Sequence, residues 1–298
     1  MVKTQEMNLV KLMHEYADET ACREYLEELR WPDGLACLRC GSMRISRIST
    51  RNQLDCGDCH FRFSVTAGTI FHDSHLPLSK WFIAAYLMME AKKGISAKQM
   101  ERSLGVAYRT AWYLCHRIRA AIEEASPIKL KGIVEIDETF VGGEVRGKGR
   151  GYKGNKAVVV GAVQREGKIM LQVVPDRSRR TLHAFADEAV HDDTEAIYTD
   201  DWRPYQGIGD EDTLHETVNH SIGEYARGNV HTNSVENIWS LLKRSIIGSF
   251  HKVSIKHLDA YLDELEWRFN NRDNPFLFRD TLLKLLASEN LRYRELTG

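Results

Sequence analysis

Two cysteine pairs constrain the fold of this chain more than any other feature of its sequence. Cys37-x-x-Cys40 and Cys56-x-x-Cys59 are separated by fifteen residues, a spacing typical of a four-cysteine zinc site. Two tight turns bring four thiolates to the tetrahedral positions around one Zn²⁺, whose binding supplies folding energy that so short a segment cannot obtain from an apolar core. We therefore expect one structural Zn²⁺ in a module that spans residues 31–72, with a redox dithiol as the alternative.

Composition places the chain among soluble globular proteins. It has 298 residues, of which 43% are hydrophobic and 28% charged, so it is long enough for about two domains. The longest apolar run, residues 81–89, is too short to span a bilayer, and the first residues contain no signal-peptide core. We expect no membrane partner and a cytoplasmic, nucleoid-associated protein. In a reducing compartment, paired cysteines favour metal binding over disulfides.

The order of helical and strand-like patterns predicts two differently built halves. Residues 5–30 have helical spacing, short β-like runs surround the cysteines, and helical spacing returns until about residue 122. Beyond residue 129 the pattern becomes β-β-β-α-β-(β)-α, which is typical of a sheet with helices packed on it. The expected fold class is therefore α/β in the second half, preceded by a zinc module and a helical module.

A helix-turn-helix pattern covers residues 95–122. A short helix is followed by a glycine turn and by a second helix, which carries Tyr108, Arg109, Arg117 and Arg119. In such a pair the second helix enters the DNA major groove, with the residues near its N-terminus closest to the bases. Helix pairs of this kind also occur without DNA, so the pattern alone leaves both interpretations open.

Local charge favours DNA as the partner. The whole chain has a net charge of only −1. Residues 92–131, however, carry nine Lys or Arg against three Glu. This net charge of +6 beside a zinc module favours double-stranded DNA.

Two aspartates stand where predicted strands end. Asp137 closes "GIVEID" and Asp200 closes "EAIYTD". Side chains at the carboxyl ends of strands in an open sheet converge on a ligand crevice. Their neighbours Glu138 and Asp201 are the rival candidates, because adjacent strand residues point to opposite faces.

A third carboxylate lies in "HTNSVENIWSLLKRS", residues 231–245. Its apolar residues form one helical stripe, and Glu236 lies at the margin of that stripe with Lys243 seven residues later. Asn233 and Glu236 also fit a capping box, which would make the glutamate a structural residue. With Asp137 and Asp200, however, Glu236 would complete a set of carboxylates able to hold two Mg²⁺ ions for phosphoryl transfer.

These motifs together resemble those of bacterial insertion-sequence DDE transposases with an N-terminal zinc ribbon. The resemblance rests on "RWPDGLACLRCG", "IDETFVGG", "YTDDWRPYQG" and the long segment that begins "HTNSVENIWSLLKRS". It implies a ribonuclease-H-like catalytic fold and two Mg²⁺ or Mn²⁺ ions per site. It further implies that water nicks the element's end and that the freed 3′-hydroxyl joins target DNA.

Residue by residue, the resemblance assigns the metal-binding acids to Asp137, Asp200 and Glu236, with Asn233 as the alternative third ligand. It makes Lys243 the basic residue of the site, and we expect Lys243 and Arg244 to contact DNA. By analogy with the family, we expect a homodimer on transposon ends and target DNA.

The expected domain order is a helical segment, a zinc ribbon, a helix-turn-helix domain, a ribonuclease-H-like catalytic domain and a helical tail; these cover residues 1–30, 31–72, 73–128, 129–275 and 276–298. Two other functions remain compatible with the sequence. One is a non-enzymatic, domesticated zinc-ribbon DNA-binding protein, and the other is a nuclease of the same fold.

Overall fold

The computed structural model describes residues 7–124, 129–143, 156–209, 213–218 and 226–298. The chain forms two compact units. Unit 1 comprises Met1–Ala91, Ile95–Ile122 and Asp273–Gly298, and unit 2 comprises Lys92–Gly94 and Glu123–Arg272. No helix in these described ranges is long and apolar enough to cross a membrane.

Unit 1 begins with two helices, α1 (Leu9–Glu15) and α2 (Glu19–Arg30). The sequence predicted one helix here. The break occurs at Asp18, whose carboxylate accepts a hydrogen bond from the N–H of Thr20 and so caps α2. A side-chain oxygen at this position satisfies an amide that has no partner within the helix. Helix α2 ends at Arg30, shortly before Pro32 and Gly34, residue types that interrupt helices.

The cysteine pairs lie beside a small antiparallel sheet of three strands in the order β1-β2-β3. These are β1 (Ile45–Ile48), β2 (Gln53–Cys56) and β3 (Arg62–Phe63). Its core consists of Leu54 and Phe63 together with Cys37 and Cys56. So small a core supports the expectation that a metal contributes to the stability of this module.

The remaining helices of unit 1 come from both ends of the chain. They are α3 (Leu78–Glu90), α4 (Ala97–Leu104), α5 (Tyr108–Ile122), α9 (Leu277–Ala287) and α10 (Tyr293–Thr297). Helix α4 ends at Gly105, which has a φ of 60°, a left-handed conformation that suits glycine. Helix α9 packs against α3 and α5 and buries Phe278, Leu282 and Leu285. The predicted tail is thus part of a core.

Unit 2 is a mixed α/β structure around one five-stranded sheet in the order β6-β5-β4-β7-β8. The strands are β4 (Leu130–Val141), β5 (Ala157–Gln164), β6 (Ile169–Val174), β7 (Val190–Asp200) and β8 (Leu214–Val218). Strand β5 is antiparallel to β4 and β6, whereas β4, β7 and β8 are parallel. The described part of the unit also contains the α-helices α6 (Arg179–Ala189), α7 (Asn233–Ser245) and α8 (Leu258–Asn270). This confirms the predicted β-β-β-α-β-(β)-α order.

Apolar cores cover both faces of this sheet. Leu182 and Phe185 of α6 pack on one face, and the apolar residues of α7 and α8 pack on the other. Helix α7 approaches the sheet at Gly161, where an added Cβ would lie 2.6 Å from Cη2 of Trp239. A glycine at this position permits the close contact. Gly161 is the strand partner of Asp137, so the contact brings α7 to the candidate site.

Candidate active site and zinc site

The four cysteines converge as the sequence predicts. Their sulfur atoms all lie within 4.8 Å of one another, with 3.5 Å between those of Cys37 and Cys59. The N–H of Arg39 donates to the sulfur of Cys37, and the N–H of Cys59 lowers the pKa of the Cys56 thiol. Backbone donors that favour thiolate fit a tetrahedral zinc site with four cysteine ligands.

Asp137 projects from β4 towards α7. Its Oδ2 accepts a hydrogen bond of 2.8 Å from the indole N–H of Trp239. Burial, together with the charges of Glu138 and Asp200, raises the pKa of Asp137 to about 7. A buried carboxylate surrounded by like charges is stabilised by a nearby cation.

The rival residue Glu138 is engaged elsewhere. Its Oε1 accepts a hydrogen bond of 2.8 Å from Arg177, and its Oε2 accepts one of 2.7 Å from the hydroxyl of Tyr205. Adjacent strand residues point to opposite faces, which explains why Asp137 and not Glu138 bonds to α7.

Asp200 ends β7, the parallel neighbour of β4. The last paired residues of these strands are Glu135 and Tyr198, and Asp137 and Asp200 each follow two residues later. Paired residues of neighbouring strands share a face, so both aspartates belong to the same side of the sheet. The influence of Asp200 on the pKa of Asp137 agrees with this placement. The rival Asp201 is exposed, and its N–H donates to Val218.

A cleft of about 510 Å³ lies between β4 and α7. Among the residues that line it are Asp137, Glu236, Lys243 and Arg244. The exposed Glu236 is one turn before Trp239, whereas Asn233 is the first residue of α7 and is not among the lining residues that the structure describes. The cleft therefore joins two predicted acids and both predicted basic residues of α7.

The three acids are not clustered as tightly as the cysteines. Among the described residues, the four cysteines are the only group of three or more potential metal ligands whose donor atoms all lie within 4.8 Å of one another.

The expected capping box at the start of α7 is wrong. The N-cap is Thr232, so Asn233 is already the first helical residue. The amides of Ser234 and Val235 instead donate to Oε2 of Glu135, a buried residue of β4. No sequence motif singles out Glu135, although it precedes Asp137 by two residues and its side chain therefore lies on the same face of the strand.

The predicted DNA-binding residues of α5 divide into two pairs. Tyr108 and Arg109 are exposed at the N-terminus of the helix, where the guanidinium of Arg109 lies 4.2 Å from the ring centre of Tyr293. Arg117 and Arg119, however, are only 4% and 2% exposed.

The expectation that Arg117 and Arg119 bind DNA is therefore corrected. The guanidinium of Arg117 donates to the carbonyl oxygens of Ile70 and His72 and to the side chain of Asn290. A buried guanidinium with such partners ties segments of unit 1 together. The sequence pattern did not distinguish an inward-facing arginine from a surface one.

Comparison with known proteins gives a consistent result. Residues 129–270 match the ISXO2-like transposase domain, and residues 17–62 match a transposase zinc-ribbon domain. A Halobacterium salinarum protein, "Uncharacterized protein in transposable element ISH50", is 28% identical over 273 residues, which cover 85% of this chain and 91% of that protein. An "Uncharacterized transposase-like protein" of Haemophilus influenzae is 33% identical over 106 residues, which cover 36% and 84% of the two chains.

A cryo-EM structure of a simian T-cell lymphotropic virus intasome in complex with PP2A regulatory subunit B56 gamma aligns with 72% of this chain and 74% of its own chain. Its TM-score of 0.26 and identity of 14% are too low to indicate a common fold. The two domain matches and the transposase relatives, which agree with the four-cysteine cluster and the α/β unit, instead define the family. The chain belongs to the insertion-sequence DDE transposases with an N-terminal zinc ribbon, and its second half matches an ISXO2-like transposase domain.

Proposed function

We propose that this transposase is a metal-dependent polynucleotidyl transferase. It binds the inverted repeats at the ends of its element, nicks one strand with water and joins the freed 3′-hydroxyl to target DNA. The observation that carries this proposal is the cleft in which Asp137 and Glu236 lie together with Lys243 and Arg244. Asp200 belongs to the same side of the adjacent strand.

A ribonuclease-H-like fold for unit 2 is part of the proposal. It is supported by the β-β-β-α-β-β-α order and by a mixed sheet in which β4 and β7, the strands that carry the two aspartates, are parallel neighbours. Parallel neighbours bring their carboxyl ends to one edge of the sheet, where a site can form.

Asp137, Asp200 and Glu236 are the residues that would hold Mg²⁺ or Mn²⁺, two ions per site. Their donors fit, because hard divalent cations prefer carboxylate oxygens. The pKa of Asp137, raised to about 7 by burial and by neighbouring carboxylates, agrees with a site suited to positive charge. When bound, such ions supply an activated nucleophile and stabilise the leaving oxygen.

The protein's own groups orient the site and the DNA. The indole N–H of Trp239 fixes the carboxylate of Asp137. Lys243 and Arg244 are exposed on α7 beside the cleft and would contact DNA phosphates. Tyr108 and Arg109, exposed at the N-terminus of α5, would read the transposon end in the major groove.

Two transposon ends must be joined in one reaction, and for this reason we propose a homodimer on DNA. Analytical ultracentrifugation of the chain with and without an end duplex would measure this assembly.

One assay tests the proposed reaction. Purified protein is incubated with Mg²⁺ or Mn²⁺ and a duplex that carries the element's terminal repeat, in the presence of a target plasmid. Joined products support transposition, and cleavage without joining indicates a nuclease of the same fold. A duplex that is bound but remains intact would contradict both enzymatic functions and favour a domesticated DNA-binding protein.

Substitution of Asp200 makes the test specific to the site. Asp200→Asn removes a charge that would neutralise a divalent cation, so we expect nicking to fall by a factor of about 100 or more, as is typical when a catalytic metal loses a ligand. End binding in a mobility-shift assay should be unchanged. The matched control is Asp192→Asn at an exposed position of the same strand, which should nick at the parental rate.

A further inference from the structure

Glu135 makes an unusual set of contacts for a carboxylate in the middle of a sheet. The residue is fully buried. Its Oε2 accepts hydrogen bonds of 2.7 and 3.1 Å from the N–H groups of Ser234 and Val235. Its Oε1 accepts bonds of 2.9 Å from the Ser234 hydroxyl and 2.7 Å from Arg165. His231 lies 3.3 Å away. One side chain of β4 thus binds the turn after β5 and the first turn of α7.

Burial of this charge is stabilised from two directions. The side chain of Arg165, which is only 19% exposed, supplies the opposite charge. It also donates a hydrogen bond of 3.1 Å to the carbonyl oxygen of His231, which lies just before the N-cap of α7. The ring of Tyr198 lies 4.8 Å from the same guanidinium. The amides at the N-terminus of a helix carry partial positive charge and favour a carboxylate there. Burial of a carboxylate costs desolvation free energy, which these donors offset only when their geometry is well defined.

Helix α7 is consequently attached to β4 at two successive turns. Glu135 binds its first turn through Ser234 and Val235, and Asp137 binds Trp239 one turn later. Glu236 lies between these attachments along the helix. Neither rotation nor a shift of α7 along the strand can move Glu236 without breaking one of them.

We propose that Glu135 is a positioning residue that holds α7, and with it Glu236, at a fixed distance from Asp137 for metal binding. This inference rests on the proposed metal-dependent function. Glu135 itself is not a ligand, because both of its oxygens are occupied by α7 and Arg165. Groups that orient metal ligands from behind typically change affinity or activity 10- to 100-fold when they are replaced.

The substitution Glu135→Gln tests this role, because it replaces the carboxylate by an amide and hardly changes the size of the side chain. An amide has one acceptor oxygen and one donor nitrogen. In either orientation its NH2 group faces donors, either the two amides of α7 or the side chains of Arg165 and Ser234. The first turn of α7 should therefore shift, while the side chains of Asp137, Asp200 and Glu236 remain chemically intact.

The experiment measures Mn²⁺ binding to the zinc-loaded full chain by isothermal titration calorimetry, without DNA. We expect Glu135→Gln to weaken Mn²⁺ binding about tenfold or more. Glu195→Gln makes the same chemical change at an exposed position of β7 and should bind as the parent does. If Glu135→Gln does not melt cooperatively, Ser234→Ala replaces it, because it removes only the hydroxyl donor and should give a smaller loss in the same direction.

The outcomes separate the inference from the function on which it rests. A folded Glu135→Gln variant, or a Ser234→Ala variant in its place, with parental Mn²⁺ affinity overturns the positioning role if Asp137→Asn still abolishes binding. If Asp137→Asn also binds Mn²⁺ as the parent does, the proposed metal site itself is overturned, and the positioning role with it. Loss of affinity in Glu135→Gln and Asp137→Asn, but not in Glu195→Gln, supports both.

Discussion

The indole of Trp239 reaches Asp137 because residue 161 has no side chain. An alanine Cβ at position 161 would lie 2.6 Å from Cη2 of Trp239 and 2.9 Å from Cδ2 of Leu171. Both side chains are part of the core between the sheet and α7, so an added methyl group would displace them. The contact between Trp239 and Asp137 in the candidate site therefore requires a glycine at position 161.

Gly161→Ala should accordingly affect stability and chemistry together. Overpacking of a core typically lowers the free energy of unfolding by about 1 to 3 kcal/mol, and a displaced Trp239 would no longer orient Asp137. We expect urea denaturation to show this loss and nicking to slow at least tenfold, an order-of-magnitude figure for displaced catalytic groups. Gly143→Ala, where an added Cβ meets no atom within 4 Å, is the control. Parental stability of Gly161→Ala would contradict the packing described here.

At the scale of residues, the sequence supplies candidate positions but not the partners of their side chains. Alternation along β4 and the strand ends pointed to Asp137 and Asp200, and helical spacing pointed to Glu236. Glu135 was missed because its partners Arg165 and Ser234 lie 30 and 99 residues away along the chain. Arg117 was misassigned for the same reason, since only the folded chain supplies its carbonyl acceptors.

At the scale of elements, helix α8 covers the edge of the five-stranded sheet that is formed by β6. Outward amides of β6 donate to side chains of this helix: Ile169 to Asn270 at 2.7 Å and Leu171 to Glu266. The amide of Val173 likewise donates a hydrogen bond to Asp259 of this helix, a carboxylate whose pKa is raised by burial. An unprotected edge strand offers such amides to other chains and promotes aggregation. The sequence predicted β6 but could not predict that polar residues of α8 would cap this edge.

The carboxylates of this contact predict how stability depends on pH. Burial, and the charges of Asp263 and Glu124, raise the pKa of Glu266 from 4.5 to about 8. The folded chain therefore binds this proton more tightly than the unfolded chain does. The contribution to stability is fully present below about pH 4.5 and is lost as pH rises towards 8.

Glu266→Gln should remove this dependence, because an amide keeps the acceptor for Leu171 and carries no charge. We expect the variant to be more stable than the parent at pH 8 by an amount on the order of 4 kcal/mol, given about 1.4 kcal/mol per pKa unit, with a smaller difference at pH 5. Urea denaturation at several pH values measures both. Equal pH profiles for parent and variant would show that Glu266 is ionised in the folded chain, and Glu195→Gln controls for loss of a surface charge.

At the scale of the whole molecule, segments from the two ends of the chain belong to the same compact unit. The sequence predicts consecutive domains with residues 276–298 as a helical tail. In the structure Asp273–Gly298 belongs to the same unit as the first ninety-one residues, because α9 buries its apolar face against α3 and α5. An amphipathic pattern shows that a helix needs a partner, but it does not identify the partner.

The zinc module provides the prediction that concerns the whole chain. Among the described residues, the core cluster of the three-stranded sheet buries two apolar side chains besides two cysteines, those of Leu54 and Phe63. With so small a core, we expect metal binding to supply much of the folding energy of this module. Cys40→Ser removes one thiolate ligand, so we expect the metal content to fall well below one zinc per chain by atomic absorption. End binding should weaken at least tenfold, an order-of-magnitude expectation for loss of a folded zinc module. Cys22→Ala, outside the cluster, should retain the metal, and a full zinc complement in Cys40→Ser would contradict a four-cysteine site.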